Sequence, residues 1–155
     1  MSELLNEKHL EKFLRENNIN ARILKFEEST MKSEDAIKLV GNNVIKTILL
    51  ICDEKPIICI LRGIDKIDFE KIKKLGFKEV RLAKAKEVKE ICGYDIGSLP
   101  PFAHKQKLET IIDSKVLELE KVYCGGGCHR CLLEIEVKEM LKAIETYKVL
   151  DITLT

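Results

Sequence analysis

The sequence predicts a mixed α+β fold, with helices and strands interleaved over a single domain that takes in residues 1–155. Two observations lead to this prediction. Amphipathic helical patterns alternate with short apolar runs along the chain, and the two clearest runs, 44–52 and 56–62, are separated only by the tripeptide DEK. A connection this short joins antiparallel strands, which argues against a purely parallel sheet. No internal repeat, linker or low-complexity tract interrupts the pattern.

The other elements follow from periodicity and from capping residues. Apolar positions at helical spacing predict an N-terminal helix over 4–17. Ser33 and Asp68 are expected to cap two further helices, which end at Gly41 and near Gly76. Gly93 stops a short helix over 84–92. The remaining expected elements are a helix at 136–146 and strands at 20–26, 77–82, 108–112, 116–119, 132–135 and 148–154.

Composition excludes several classes of protein. The chain has 27 basic and 26 acidic residues, a net charge of +1 and a hydrophobic fraction of 45%. This balance excludes a disordered chain and a generally basic nucleic-acid coat, although a local basic groove stays open. No apolar run reaches the roughly 18–20 residues that span a bilayer, and the charged N-terminus is not typical of a signal peptide. A cytoplasmic protein without a membrane partner is therefore expected.

Lys46 is an unusual residue for its position, because it lies inside the first apolar run. Strand alternation places Lys46 on one face with residues 44, 48 and 50, and Thr47 on the other with 45, 49 and 51. Burying an ammonium among aliphatic side chains without a partner is costly. Lys46 is therefore either an edge-strand lysine whose head reaches water or a fixed positive charge at the floor of a pocket.

Two glycine-rich segments are candidate ligand contacts. The segment 93–104, GYDIGSLPPFAH, holds two glycines and two consecutive prolines, so no regular structure is expected there. It is either a connecting loop or an array of backbone N–H groups that binds an oxyanion or a carboxylate-like group. The glycines of 125–127 mark either a hairpin turn or a close approach of the backbone to a ligand.

From Leu10 to about Ile144, the order of these segments resembles the YbaK/prolyl-tRNA-synthetase-associated domain family of aminoacyl-tRNA deacylases. In one segment, Thr30 precedes a short helix; in others, Lys46 takes the family's strand position and Gly63 follows a strand. The segments that carry the resemblance are EESTMKSEDAIKLVG (27–41), IKTILL (45–50), ILRGIDKID (60–68), RLAKAKEVKEICGYDIGSLPPFAH (81–104) and VYCGGGCHRCLLEIEVKEML (122–141).

The resemblance implies a small monomeric trans-editing enzyme. It would hydrolyse the ester that joins a mischarged amino acid to the 3′ acceptor end of tRNA, with a small amino acid such as Cys, Ala or Ser as the expected substrate. The fold it implies is a compact mixed, barrel-like β-sheet flanked by helices. No cofactor is expected. Aminoacyl-tRNA is the expected partner, and docking on an aminoacyl-tRNA synthetase stays open.

The resemblance also implies the residues of the site. Lys46 maps onto the family's essential lysine, and the other expected substrate-binding residues are Thr30, Thr47, Gly93, Gly97, Pro100, Pro101, His104 and Gly126. An aminoacyl ester is already reactive, so positioning and stabilisation of developing negative charge are sufficient roles for a protein. Lys46 would hold a phosphate or the ribose and polarise the carbonyl, while water or a group of the substrate attacks.

Basic residues flank the glycine–proline loop and suggest a rim for tRNA phosphates. The same pattern is typical of a solvated helix face, so both interpretations stay open. The residues concerned are Arg81, Lys84, Lys86, Lys89, Lys105 and Lys107.

The segment CGGGCHRC (124–131) departs from the family's usual pattern. Its spacing matches a radical-SAM motif, but it occurs late in a short chain, which argues against that class. Cys124, Cys128 and Cys131 are an alternative metal site, which a fourth ligand from His129 or Cys92 would complete. Redox-sensitive thiols and cysteines that line a pocket are further options. Disulfides are the less expected use in a cytosolic chain, and Cys52 and Cys59 are expected in the core.

A second function stays open beside the enzyme. The cysteine cluster and the lack of an obvious general base are compatible with a non-catalytic module of the same fold that binds tRNA, a synthetase or a metal.

Overall fold

A computed structural model describes residues 4–154 of the chain. Five α-helices and eight β-strands lie in that range. In chain order they are α1 (Glu7–Glu16), β1 (Ala21–Lys25), α2 (Ser33–Val40), β2 (Ile45–Cys52), β3 (Lys55–Arg62), α3 (Phe69–Lys73), β4 (Val80–Leu82), α4 (Ala85–Cys92), β5 (Glu109–Asp113), β6 (Lys121–Gly125), β7 (Cys131–Glu136), α5 (Val137–Ile144) and β8 (Lys148–Leu150).

The strands form two sheets, which confirms the mixed α+β prediction. One sheet has the order β4-β2-β3-β5-β8, with antiparallel pairs at β4-β2-β3 and parallel pairs at β3-β5-β8. The other is antiparallel with the order β1-β7-β6. The two sheets meet at a bridge between Val44 and Tyr123, where the Tyr123 N–H donates to the Asn43 carbonyl oxygen over 2.9 Å. The described strands do not close into a continuous barrel.

The hairpin predicted between the two apolar runs is confirmed. Its turn consists of Asp53 and Glu54, which have φ values of 49° and 70°, and Lys55 already belongs to β3. A two-residue turn with positive φ matches the twist of antiparallel strands. The Asp53 carboxylate accepts a hydrogen bond from the Glu79 N–H at 2.8 Å, which ties the turn to the approach to β4.

Three local predictions are wrong. The segment expected as a strand at 116–119 is instead a 3-10 helix over Ser114–Glu118, because the Asp113 carboxylate accepts the Lys115 N–H and caps a helical turn. Ser33 does not cap α2; it is the first helical residue, and Lys32 occupies the cap position without a side-chain bond. The last strand is shorter than expected and ends at Leu150.

Apolar side chains cover both faces of the five-stranded sheet. The larger cluster packs α1, α4 and α5 against β2, β3 and the three-stranded sheet. The smaller cluster lies on the opposite face around Ile72 of α3 and contains Cys52 and Cys59, both fully buried, as expected. No helix within residues 4–154 has the length and apolar character needed to cross a bilayer.

Candidate functional site

A cavity of about 230 Å³ lies where the two sheets meet; we call it the Lys46 cavity. It brings together four of the residues expected at the site: Thr30, Lys46, Thr47 and Gly97. The first turn of α2, the start of β2, the end of β6 and the loop after α4 supply the rest of its wall. The other lining residues are Met31, Ser33, Ala36, Val44, Ile45, Ile48, Ile96, Leu99, Cys124, Gly125 and Leu132.

The cavity lies against an unpaired stretch of β2. The neighbouring strand β4 pairs only with Leu50–Cys52, and the bridge to β6 lies at Val44. Among the described strands, none pairs with this edge of β2 between those two points. The outward edge of β2 at residues 46–48 is therefore open to a ligand.

Lys46 supplies the positive charge of the site. Its side chain is partly buried, and its ammonium donates a hydrogen bond to the Gly63 carbonyl oxygen over 3.4 Å. Burial lowers the pKa of Lys46 from its ordinary value, Lys66 lowers it further, and the Asp65 carboxylate partly offsets both. Asp65 is itself held by Arg62, through contacts of 2.7 and 3.1 Å. Lys46 is thus a partly desolvated cation at a defined position.

Two threonines from different elements also line this cavity. Thr30 is buried, and its hydroxyl donates to the carbonyl oxygens of Cys131 at 3.1 Å and His129 at 3.3 Å. Thr47 differs: among the residues that the structure describes, its hydroxyl oxygen is the buried side-chain polar atom without a hydrogen-bond partner. An unpaired buried hydroxyl is unfavourable in the free protein and can be satisfied by a bound ligand.

Close backbone contacts shape the wall opposite Lys46. Gly97 has a φ of 88°, and a Cβ atom there would lie 3.2 Å from the Met31 side chain. At Gly125 a Cβ atom would meet the Leu99 carbonyl oxygen at 2.2 Å, so only glycine fits there. The sequence indicated that the glycine run approaches something closely, but the expected contact, Gly126, packs against the backbone of 131–132 instead.

Several expected substrate contacts lie outside the Lys46 cavity. Gly93 ends α4 in a left-handed conformation, beside Leu5. Pro101 and His104 line a different cavity, next to Phe13. The His104 Nε2 lies 2.7 Å from the Pro100 carbonyl oxygen, and burial lowers the pKa of His104 to about 4. The glycine–proline loop therefore divides: Ile96, Gly97 and Leu99 line the Lys46 cavity, whereas residues 101–104 line the other one.

The three clustered cysteines separate into a pair and a single residue. Cys128 and Cys131 form a disulfide, which is the use of cysteine that was less expected from the sequence. Their Cα atoms lie 5.1 Å apart, within the range that a disulfide needs, because the Cys131 N–H closes a turn onto the Cys128 carbonyl oxygen. Glu7 lies beside the two sulfurs. Cys124 is buried in β6 and lines the Lys46 cavity, outside that group.

Acidic partners neutralise half of the expected basic rim. Arg81 pairs with Glu87 at 2.7 and 2.9 Å. The other two pairs are Lys89 with Asp95 and Lys107 with Glu145. Lys105 and Lys107 line the cavity of His104 rather than that of Lys46. The rim stays a prediction, and its cations do not surround the Lys46 cavity.

An apolar cleft of about 580 Å³ adjoins the site, and we call it the Lys66 cleft. It shares Lys46 and Ile48 with the Lys46 cavity, so the two spaces meet at this part of β2. Its other lining residues are Lys66, Ile67, Asp68, Phe69, Glu70, Leu82 and Leu154. The last two are exposed.

Sequence comparisons relate the chain to known proteins. The sequence model of the family described as aminoacyl-tRNA editing domain matches residues 27–143, more than half of the chain. The proline–tRNA ligase of Streptococcus agalactiae serotype Ia is 32% identical over 110 residues, which are 68% of this chain and 18% of the ligase. That of Streptococcus gordonii is 37% identical over 92 residues, 59% of this chain and 15% of the ligase. The chain thus spans less than a fifth of the relatives it matches.

Solved structures share the whole fold. The crystal structure of hypothetical protein APE2540 superimposes with a TM-score of 0.85 and 28% identity, covering 94% of this chain and 99% of the other. A protein assigned provisionally as a trans-editing enzyme for prolyl tRNA synthetase gives a TM-score of 0.86 over 96% and 97% of the two chains; at 22% identity it shows the fold alone. With the match to its sequence model, these likenesses identify the chain as a member of the aminoacyl-tRNA editing domain family.

Proposed function

We propose that this protein is an aminoacyl-tRNA deacylase that hydrolyses the ester of mischarged tRNA in trans. The observation that carries the proposal is the Lys46 cavity, in which a partly desolvated ammonium, Thr47 and an open strand edge border one small space. An ester carbonyl gains negative charge as water attacks it. A fixed cation and pre-oriented donors favour that charge more than they favour the neutral ester.

The size of the cavity supports a small aminoacyl group. Its volume is about 230 Å³, and the Gly125–Leu99 contact limits it on one side. Its apolar lining suits a side chain with few polar atoms, of the kind that Ala, Ser or Cys carries. A side chain that reached the Gly125–Leu99 contact would meet backbone, which yields less readily than a flexible side chain.

The Lys66 cleft supports a position for the terminal nucleotide. A ribose ester seated beside Lys46 would place its nucleoside over Phe69 and the aliphatic walls of the cleft, with a phosphate near Lys66. Aromatic and aliphatic surfaces bind bases without sequence preference, and a lysine suits a phosphate. The protein would then contact only the acceptor end, as a net charge of +1 permits.

The same proposal includes the setting in which the protein acts. We infer a cytoplasmic single-domain monomer that binds aminoacyl-tRNA, either free or beside an aminoacyl-tRNA synthetase. The likeness to parts of two proline–tRNA ligases supports the second possibility.

A deacylation assay over a full set of aminoacyl-tRNAs tests the function. At least one of them should be hydrolysed faster than it is without protein. The Lys46→Ala variant should lose about 100-fold or more of this activity. Lys12→Ala is the matched control, because Lys12 is an exposed lysine of α1. Hydrolysis of no substrate, or an active Lys46→Ala variant with the control unchanged, would contradict the proposal.

One observation favours the non-catalytic alternative. None of the described residues that line the Lys46 cavity is a carboxylate or an imidazole, so a general base must come from water, from the substrate or from neutral Lys46. A binding module would retain aminoacyl-tRNA in a filter-binding assay without releasing the amino acid. The deacylation assay therefore separates the two functions directly.

A further inference from the structure

The Cys128–Cys131 disulfide closes the turn between β6 and β7, directly after three glycines. Glycines restrict the backbone little, so the turn depends on other contacts for a fixed shape. Cys128 is partly exposed beside a cavity of about 440 Å³, which Asp95 and His129 also line, whereas Cys131 is buried. A small thiol can therefore reach the sulfur of Cys128 but not that of Cys131.

This turn holds one wall of the Lys46 cavity. The Thr30 N–H donates to the His129 carbonyl oxygen at 2.7 Å, and the Thr30 hydroxyl donates to the Cys131 carbonyl oxygen at 3.1 Å. The Phe26 N–H donates to the Arg130 carbonyl oxygen at 2.8 Å, four residues before Thr30. The acceptors that place Thr30 in the cavity thus belong to the residues that the disulfide encloses.

The same turn also supports the opposite wall. The Gly127 N–H donates to the Ser98 carbonyl oxygen at 3.0 Å. Ser98 is buried and lies between Gly97 and Leu99, which both line the Lys46 cavity. A change in the shape of the turn would therefore displace residues on two walls of the Lys46 cavity.

We propose that Cys128 and Cys131 are a redox-active pair whose disulfide positions Thr30 and the 97–99 segment, so that the Lys46 cavity binds its ligand more tightly in the oxidised protein. The sequence separation of the two cysteines is only 3, so the bond constrains the unfolded chain little, and its structural effect is confined to the turn that it closes. Of the quantities measured below, only the enzyme activity depends on the proposed deacylase function.

The reductant is a dithiol. Its thiolate attacks Cys128 Sγ, a mixed disulfide forms, and the bond to Cys131 breaks; the Cys131 thiolate leaves and takes up a proton. The second thiolate of the dithiol then attacks the mixed disulfide, which releases Cys128 as a thiolate that is protonated in turn and leaves the dithiol as a cyclic disulfide. Two electrons and two protons pass to the protein.

The test equilibrates the intact protein in buffers of reduced and oxidised dithiothreitol and reads three quantities. Alkylation followed by mass analysis should show Cys128 and Cys131 changing together, while the buried Cys52 and Cys59 stay unmodified in the folded protein. Hydrogen exchange at the amides of Thr30 and Gly127 should be about tenfold faster in the reduced form. The KM for the cognate aminoacyl-tRNA should rise about threefold or more on reduction, because the hydroxyl of Thr30 is less well placed.

Variants distinguish the pair from general effects of the reductant. The double variant Cys128→Ser, Cys131→Ser should resemble the reduced protein in both buffers. Cys52→Ala removes a cysteine from the core on the other face of the five-stranded sheet, and it should respond to the buffers as the unmodified protein does.

Each contrary outcome has a distinct meaning. Equal exchange at Thr30 in the two forms, or equal KM values with the disulfide verified, would overturn the inference and leave the deacylase proposal standing. Changed exchange with no hydrolysis in either form would support the redox coupling and contradict the deacylase. Stoichiometric zinc in the reduced protein, lost in Glu7→Gln, would assign the thiols to a metal site and overturn the redox pair.

Discussion

The Arg62 guanidinium holds the Asp65 carboxylate through two contacts, of 2.7 and 3.1 Å, just after β3 ends. Asp65 is buried, and its negative charge acts on Lys46. The peptide between this pair also presents the Gly63 carbonyl oxygen, which accepts the hydrogen bond from Lys46. The turn after β3 thus controls both the position of the ammonium and how readily it loses its proton.

The charge on Lys46 should titrate at lower pH than that of an ordinary lysine. Burial lowers its pKa, and Asp65→Asn should lower it further, because the carboxylate raises it. A titration of the Lys46 side-chain carbon resonance by NMR measures both proteins. The free protein should lose the ammonium as pH rises through this lowered pKa, and stability should increase over the same interval, since the folded state binds fewer protons than the unfolded state. A titration in the ordinary lysine range, near 10.4, would contradict this expectation.

The two threonines of the cavity should respond oppositely to loss of their hydroxyls. Thr30→Val removes a hydroxyl bonded to two carbonyl oxygens and should cost about 1 kcal/mol of unfolding free energy. Thr47→Val removes a hydroxyl without a partner and should leave stability unchanged or higher. If that hydroxyl bonds the substrate, kcat/KM should fall by about 2- to 10-fold. Urea unfolding and deacylation kinetics measure the two effects; a Thr47→Val protein as unstable as Thr30→Val would contradict the assignment.

Gly125 should tolerate no side chain. A Cβ atom there meets the Leu99 carbonyl oxygen, a backbone group that cannot rotate away, so Gly125→Ala should cost about 1–3 kcal/mol and disturb the cavity. Gly63→Ala is the comparison variant: its nearest contact is the Ser33 Cβ at 3.0 Å, which needs to move by only a few tenths of an ångström. Thermal unfolding of the two variants compares them. A larger loss of stability for Gly63→Ala would show that the Leu99 contact does not limit this wall.

His104 should make the folded state sensitive to mild acid. Burial lowers its pKa to about 4, below the unfolded value near 6.5, so the unfolded state takes up a proton first as pH falls. The stability that this neutral ring contributes is complete above pH 6.5 and is lost towards pH 4. Unfolding of the unmodified protein and of His104→Gln, measured across this interval, isolates the effect. A constant difference between the two proteins would contradict the shift.

Local patterns were sufficient for much of the fold and for the central residue of the site. The hairpin of β2 and β3 follows from two apolar runs and a short connection, and Lys46 stands out because a lone ammonium interrupts one of them. The helix ends at Gly41 and Gly93 follow from the φ that glycine permits. These features depend on neighbours in the chain.

Features that depend on contacts between distant parts of the chain were harder to predict from the sequence. Nothing local distinguishes the part of the loop that lines the Lys46 cavity, Ile96 to Leu99, from residues 101–104, which line the cavity of His104. The buried Tyr94, whose hydroxyl donates to the Ala103 carbonyl oxygen, helps to hold the loop in that shape. Cys124 lines the site because the neighbouring Tyr123 of β6 bridges to Val44, just before β2, a pairing across about half of the chain. The strand expected at 116–119 reflects an apolar pattern that the Asp113 cap overrides.

The bridge between Val44 and Tyr123 places the site at the junction of two sheets rather than within one sheet. The cavity opens where two independently hydrogen-bonded sheets diverge, so its width follows from the angle between them as much as from the side chains inside it. Substitutions that tilt the three-stranded sheet, for example beneath α5, can enlarge or narrow the space without altering a lining residue. Substrate preference in such a scaffold can therefore change when residues far from the cavity repack. A library of variants limited to the lining residues would not sample such changes.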